Sequence, residues 1–399
     1  MLSSFLSPAL QKLLVYLALG GILLGVWSLA VRRKTSTPQL KPQDEKAKGT
    51  PVRWVPSSFR TPRPPPYPDF SFTDTKPLPY RAFRYGPKYN VTMGLRALDH
   101  ADWIEMDNQY PKFHADKARR LADRGAQISR TDPEAYAAAY ELLDELTEYL
   151  PARYPSVFCR TANGIDNLWS GESFNTTERP LKEDPITICA RLIQDDLAIM
   201  VPRPDGRYYL LSGSIILPGF WRLDEKFGME LAEIHTSGNV PQFRQRLETG
   251  MLKFFTRLRP EEMYGRHNYF MQVDDDLAWS RSIGDEDGET GWFAVEKDKA
   301  IEHHWFRSER QTLKKLPKTG AVVFTIRTYF LPVTEVVQEP YVPGRLASAI
   351  RSWGDDVAKY KGREKYGDVL LAYLDQLHQK QVDGGLDLSK ESEVHQYPW

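Results

Sequence analysis

Cysteine is nearly absent from this chain. Only Cys159 and Cys189 occur among 399 residues, and neither a CxxC nor a CxxCH motif is present. Zinc knuckles, cysteine-ligated iron–sulfur clusters and covalently attached c-type heme depend on such spacings, so the sequence supports none of these sites. The count allows one disulfide, but we interpret the pair as two reduced thiols of a cytosolic domain.

Nucleotide-binding motifs and an excess of charge are missing as well. The sequence contains no GxGxxG after a strand, no GxxxxGK[ST] and no GxSxG. It therefore indicates no nicotinamide, flavin, nucleotide or serine-hydrolase site. Lysine plus arginine equals aspartate plus glutamate at 53 each, which gives a formal net charge of zero. Without a basic excess, no nucleic-acid partner is expected.

One long apolar run stands near the amino terminus. The 19 residues between Leu13 and Val31, LLVYLALGGILLGVWSLAV, carry no charge. At a rise of about 1.5 Å per residue, such a helix nearly crosses a bilayer. The basic residues RRK follow at 32–34, which favours a retained single-pass anchor with the C-terminal bulk in the cytosol. A cleaved signal peptide is the alternative, but its positive charge should precede the run. The sequence does not indicate which membrane.

Composition divides the rest of the chain. Residues 1–12 form a short N-terminal tail, and residues 32–79 are charged and proline-rich, as expected of a stiff tether. A folded domain is predicted at 80–385, followed by a tail at 386–399. The sequons that begin at Asn90 and Asn175 would stay unmodified on a cytosolic domain.

Periodicity and turn residues predict a mixed domain. Helices are predicted at 110–124, 134–150, 223–234 with a break at Gly228, 242–258, 344–361 and 363–381. Strands are predicted within 186–201, at 208–217, 292–295 and 321–329, with a hairpin turn at Asp205-Gly206. Because strands lie in the middle and helices flank them, the fold class is α+β.

The stretch RSERQTLKKLPKTGAVVFTIRTY, at 307–329, is dense in charge. Its first part is predicted as a short helical turn and its second part as an apolar strand. Arg327 lies inside that strand, where burying a guanidinium is costly unless it is paired. We expect Arg327 to form an ion pair with Glu309.

The same stretch carries a family resemblance. The motif E-R-Q-T-L-x-x-L-P-x-x-G-A-x-x-F-T-I-R-T-Y, starting at Glu309, resembles the heme-dependent oxidative N-demethylase alpha-subunit-like family. Shorter similar segments occur in the family's order at 93–107, 194–197, 218–241 and 266–269. The resemblance implies a PAS-like central antiparallel sheet elaborated with helices. It also implies heme b, a small alkylamine substrate that loses formaldehyde, and a separate electron-donating reductase.

The resemblance implies a position for the iron ligand. His235 ends the segment K-x-G-x-x-L-x-x-I-H that the family shares. The alternative is a helix-terminal histidine that performs no chemistry. His267 is a second candidate, as ligand or distal group, because Arg266 and Tyr269 cluster beside it.

Other polar residues are assigned on the same basis. Arg222, Lys226, Arg266 and Arg327 are candidates for contacts to heme propionates or a substrate carboxylate. Glu309 is expected to orient Arg327 or to approach a substrate ammonium. Tyr269 is a candidate catalytic residue that would ligate the iron, line the pocket or hold the amine, and core packing is its alternative. Two other functions stay open: a heme or small-ligand sensor without turnover, and a heme-free, membrane-tethered interaction module.

Overall fold

The computed structural model describes residues 54–393 except 68, 79, 84 and 87; the side chain of Ser392 is also left out. The predicted anchor at 13–31 and the first part of the tether lie outside these residues. Within the described ranges, no helix is both long and apolar enough to span a bilayer.

A large antiparallel sheet forms the centre of the fold. Its strands are β1 (Arg96–Ala97), β2 (Ser129–Thr131), β6 (Asp196–Pro202), β7 (Tyr208–Ser214), β8 (Met263–Gln272), β9 (Trp305–Lys315) and β10 (Val322–Pro332). Their order is β1-β8-β9-β10-β6-β7-β2. A smaller sheet has the order β3-β4-β5, made of Phe158–Thr161, Gly164–Asn167 and Glu172–Asn175.

Helices surround the large sheet. They are α1 (Tyr110–Arg124), α2 (Tyr136–Arg153), α3 (Pro185–Leu192), α4 (Leu223–Lys226), α5 (Leu231–Ser237), α6 (Glu248–Arg257), α7 (Val333–Val336), α8 (Val342–Arg351), α9 (Asp355–Tyr360) and α10 (Arg363–Asp383). A π-helical turn, Phe243–Leu247, precedes α6. The α+β class is therefore confirmed.

Most predicted elements are found where local signals are strong. Helices α1 and α10 match their predicted ranges closely, and Asp205-Gly206 turns between β6 and β7 with Gly206 at φ +78°. The break at Gly228 separates α4 from α5. The strand predicted at 292–295 is wrong, because these residues form turns and bends. The single helix predicted at 344–361 is two helices, α8 and α9, separated at Gly354.

The helical turn predicted at the start of the 307–329 stretch is also wrong. All of it up to Lys315 belongs to β9, which pairs with β8 on one side and β10 on the other. Both neighbours satisfy its backbone, so the segment is extended despite its charges. Its side chains are buried, and Lys315 donates to the Phe255 carbonyl at 2.8 Å.

Each face of the sheet has its own helices. We name the two faces after adjacent residues of β9. The Glu309 face carries the odd-numbered residues of β9 and the even-numbered residues of β8 and β10. The Arg310 face carries the even-numbered residues of β9 and the odd-numbered residues of β8 and β10. Leu231 of α5 and Phe255 of α6 pack on the Glu309 face, in one apolar cluster with Leu313. Helices α1, α2 and α3 cover the Arg310 face, where Leu146 and Ile188 are buried with Val323.

The predicted tether ends earlier than residue 79. Trp54 Nε1 donates to the Pro317 carbonyl at 3.1 Å, and the Tyr67 amide donates to the Arg153 carbonyl at 2.6 Å. Phe70 is a core residue with 8% exposure. Residues 54–70 thus lie along the domain, because their aromatic side chains pack on its apolar surface.

The two cysteines do not form a disulfide. Cys159 is exposed on the small sheet, whereas Cys189 is buried in α3. Burial raises the pKa of the Cys189 thiol well above its ordinary value. Both thiols are free, as the sequence predicted.

Candidate functional site

The strand register separates the predicted site residues into two groups. Arg327 lies opposite Arg310, and Thr328 lies opposite Glu309. Because neighbouring positions on a strand point to opposite faces, Glu309 and Arg327 are on different sides of the sheet. The predicted ion pair between them is therefore wrong. Arg266 shares the Glu309 face, while His267 and Tyr269 share the Arg310 face.

Glu309 is a nearly buried carboxylate, but a small part of its side chain is accessible to solvent. Its side chain is 10% exposed, and its Oε1 lies 3.9 Å from Arg307 Nε. Gln311 Nε2 donates to its Oε2 at 2.8 Å. Burial raises the pKa of Glu309, and the Arg307 guanidinium partly opposes that rise. A cationic ligand on this face would gain from pairing with it.

A hydrogen-bond chain holds Glu309 in place. Arg266 Nη1 donates to Gln311 Oε1 at 2.6 Å, and Gln311 in turn donates to Glu309. Arg266 Nε donates to the Met93 carbonyl at 2.8 Å. The sequence interpretation missed Gln311. The i, i+2 spacing from Glu309 would have found it if this segment had been predicted as a strand.

His235 lies near the end of α5 with one ring nitrogen already engaged. Its Nδ1 donates to the Leu231 carbonyl at 2.8 Å, since a carbonyl can only accept. The ring stacks on Phe243 with centroids 4.9 Å apart. Burial lowers the pKa of His235, and the charges of Arg266 and Lys226 lower it further. A neutral imidazole protonated at Nδ1 leaves the Nε2 lone pair free for a metal.

The other two predicted cations differ in their contacts. Lys226 contacts the helix that carries His235, whereas Arg222 contacts other residues. Lys226 Nζ donates to Ser237 Oγ, on the same helix as His235, at 2.9 Å. Arg222 pairs with Glu225 and donates to backbone carbonyls of Glu286 and Gly288. It lines a cavity of about 300 Å³ whose lining does not include His235. Its charge is already satisfied by these partners.

The predicted residues on the Arg310 face have partners other than Glu309. Arg327 Nη2 donates to Asp107 Oδ2 at 2.7 Å, and both groups are buried. His267 stacks on Tyr80 with centroids 4.3 Å apart. Burial, helped by the nearby Arg310, lowers the pKa of His267 to about 3. Tyr269 is buried between aromatic rings, which raises its pKa far above its ordinary value. The fold does not bring these three residues to Glu309.

Lys361 is a second functional candidate that the sequence did not reveal. It follows α9, is 4% exposed, and donates from Nζ to the Tyr269 carbonyl. The ammonium lies 4.2 Å from the centre of the Phe270 ring. Burial lowers the pKa of Lys361 to about 7, although Glu309 acts in the opposite direction. It can therefore hold or release a proton near neutral pH.

Half-buried apolar side chains complete this side of the sheet. They include Leu95, Met251, Phe254, Tyr264 and Phe324, which pack against the cluster of the Glu309 face. A flat heme needs apolar surface, a neutral ligand nitrogen and cations for its propionates. The Glu309 face and α5 offer all three, through these side chains, His235, and Arg266 with Lys226. The residues present therefore fit the group.

A comparison with known protein families gives a match over most of the folded domain. Residues 94–371 match the family described as "Haem-dependent oxidative N-demethylase, alpha subunit-like". The match covers well over half of the chain and includes every candidate residue on both faces of the sheet.

Proposed function

Because the chain belongs to the haem-dependent oxidative N-demethylase alpha subunit-like family, we propose that it removes a methyl group oxidatively from a small alkylamine. The observation that carries this proposal is the state of His235. Its Nδ1–H is committed to Leu231, and burial keeps the ring neutral, as iron ligation requires. Heme b held there would supply oxygen activation.

The residues around His235 would each have a separate role in holding the heme and the imidazole ring. Lys226, which donates to Ser237 at 2.9 Å on the helix of His235, and Arg266 would contact the heme propionates. Phe243 would fix the plane of the imidazole by stacking on it. The Leu231 carbonyl would hold the ring in the tautomer that presents Nε2.

Glu309 would bind the substrate. A buried carboxylate held by Gln311 can pair with the ammonium of a protonated amine. Lys361, with a pKa of about 7, would serve as the nearby group that takes up or gives a proton. The half-buried apolar side chains would exclude water around the methyl group.

The overall reaction requires electrons from elsewhere. One oxygen atom of O₂ enters the formaldehyde that leaves as the C–N bond breaks. The other oxygen atom becomes water with two protons and two electrons. The chain has no nucleotide-binding fingerprint and no CxxC, so a separate reductase would supply the electrons.

The strand order β7-β6-β10-β9-β8 is consistent with a PAS-like sheet.

We further propose a location for the protein. Residues 13–31 would anchor it as a single-pass protein, and the basic residues at 32–34 would keep the domain in the cytosol. Asn90 and Asn175 are both exposed, so each would be glycosylated if the domain entered the secretory lumen. A mass shift after glycosidase treatment of the full chain would overturn the cytosolic orientation.

The first test is an absorption spectrum of the full-length chain expressed with added heme precursor. We expect a stoichiometric Soret band that is shifted or lost in His235→Ala. His303→Ala is the matched control, because His303 is exposed and should leave the band unchanged. If His267→Ala removed the band and His235→Ala did not, the ligand assignment would be wrong.

Activity is tested next with methylated alkylamines, a chemical reductant and O₂. Formaldehyde formation that depends on both O₂ and reductant is the expected result. A Soret band without formaldehyde would indicate a sensor. Absence of bound heme in the wild-type chain would indicate an interaction module.

A further inference from the structure

The segment 242–259 carries a net positive charge. It contains five basic residues and one acidic residue, whereas the whole chain has a net charge of zero. Arg246, Lys253 and Arg257 are spaced by seven and four residues, so they form one stripe along the π-helical turn and α6. We call these three residues the basic stripe.

The basic stripe is exposed and lacks carboxylate partners. All three side chains are exposed. Among the residues that the structure describes, no carboxylate forms an ion pair with them, whereas the adjacent Arg259 is paired with Glu262 at 2.7 Å. Like charges gathered without neutralisation repel one another, and an acidic partner would relieve that repulsion.

The same segment touches the proposed heme ligand. Its first π-helical residue, Phe243, stacks on the His235 ring at an interplanar angle of 11°. The basic stripe begins three residues further on. Leu247 and Phe255 bury the opposite side of this segment in the core. A partner bound to the basic stripe would therefore lie next to the segment that packs on His235.

We infer that the basic stripe is the docking surface for an acidic electron-donor protein. This rests on the proposed function, in which a separate protein supplies the electrons. Membrane-binding helices insert large apolar side chains beside their basic residues. None of the large apolar side chains exposed in the described part of the chain lies in 242–259. The surface therefore suits an acidic protein better than an anionic membrane.

The experiment measures binding of an acidic plant-type [2Fe–2S] ferredoxin, used as the probe, to the full-length chain in neutral detergent. The test variant is R246E/K253E/R257E. The matched control is R207E/K318E/K380E, which changes the net charge equally at exposed residues outside the segment. Circular dichroism of both variants checks that they are folded.

We expect the test variant to weaken binding by about tenfold or more at low salt, and the control by about twofold at most. Wild-type binding should weaken as ionic strength rises from about 20 to about 200 mM, and the test variant should show a smaller dependence. Equal effects of the two variants, or none from either, would overturn the docking surface.

Two further outcomes are decisive. If the wild type bound phosphatidylserine vesicles through the stripe but did not bind the ferredoxin, the surface would belong to a membrane. The Soret band is measured separately. Stripe-dependent ferredoxin binding by a chain that holds no heme would therefore overturn the electron-donor role and the proposed function, while the docking surface would stand.

Discussion

Arg327 is paired with Asp107, at 2.7 Å from Nη2 to Oδ2, across 220 positions of sequence. Asp107 also accepts from Gln194 Nε2 at 3.1 Å, and the Arg327 side chain has no exposed surface. This fully buried strand arginine is therefore held by the segment that precedes α1. A long-range contact, and not the neighbouring Glu309, compensates its charge.

Removal of this partner should destabilise the domain. Asp107→Asn would remove the carboxylate paired with the buried Arg327 guanidinium and leave only the longer-range attraction of Asp195, at a cost of about 3 kcal/mol in the free energy of unfolding. Urea denaturation measures this. Asp102→Asn is the control, because Asp102 is 53% exposed and lies 3.7 Å from Arg153; we expect a loss of about 0.5 kcal/mol or less. Similar losses in both variants would show that the buried pair contributes no more to stability than the exposed pair does.

Gly219 should tolerate no side chain. Its φ is +75°, and a Cβ placed there would lie 2.6 Å from Arg307 Cζ. Gly206 has a similar φ of +78° but open space around it. We expect Gly206→Ala to cost about 1 kcal/mol of folding free energy from backbone strain alone, and Gly219→Ala clearly more. Thermal unfolding of both variants measures the difference, and equal costs would mean that Arg307 moves aside freely.

His267 should make stability depend on acidic pH. Its pKa falls from 6.5 to about 3 on folding. Between these values the unfolded chain takes up a proton and the folded chain does not, so stability is lost as pH falls below about 6.5. We expect the free energy of unfolding to decline less steeply from about pH 7 to pH 4.5 in His267→Gln than in the wild type. His303→Gln, at an exposed position, should follow the wild type. Identical slopes in all three proteins would contradict the burial of a neutral His267.

Glu309 should control amine binding. Glu309→Gln removes the negative charge while keeping the bond from Gln311, so we expect KM for a protonated amine to rise by about tenfold or more. Glu302→Gln, at an exposed position, is the control. Because burial raises the pKa of Glu309, wild-type affinity should fall with decreasing pH earlier than an ordinary carboxylate would allow. An unchanged KM in Glu309→Gln would remove this residue from the site.

Local signals predicted the elements in which one residue type decides the backbone. Asp205-Gly206 specifies a hairpin turn wherever it lies between strands, and Gly228 interrupts a helix whatever packs on it. Strand β9 was mispredicted for the opposite reason. Its charged residues resemble a solvated turn, and only the pairing with β8 and β10 and the helices packed on both faces of the sheet bury them. Lys361 was missed because it follows a helix and precedes Gly362, as surface lysines often do.

The sequence by itself determined the family, the α+β class, the turns and the position of His235 near the end of a helix, since each is encoded in segments of consecutive residues. Only the tertiary structure decided which side chains meet. Strand register placed Glu309 with Arg266, and Arg327 with Asp107, on opposite faces of one sheet. A shift by one position along a strand reverses the face of every side chain, and pairing between distant strands sets that position.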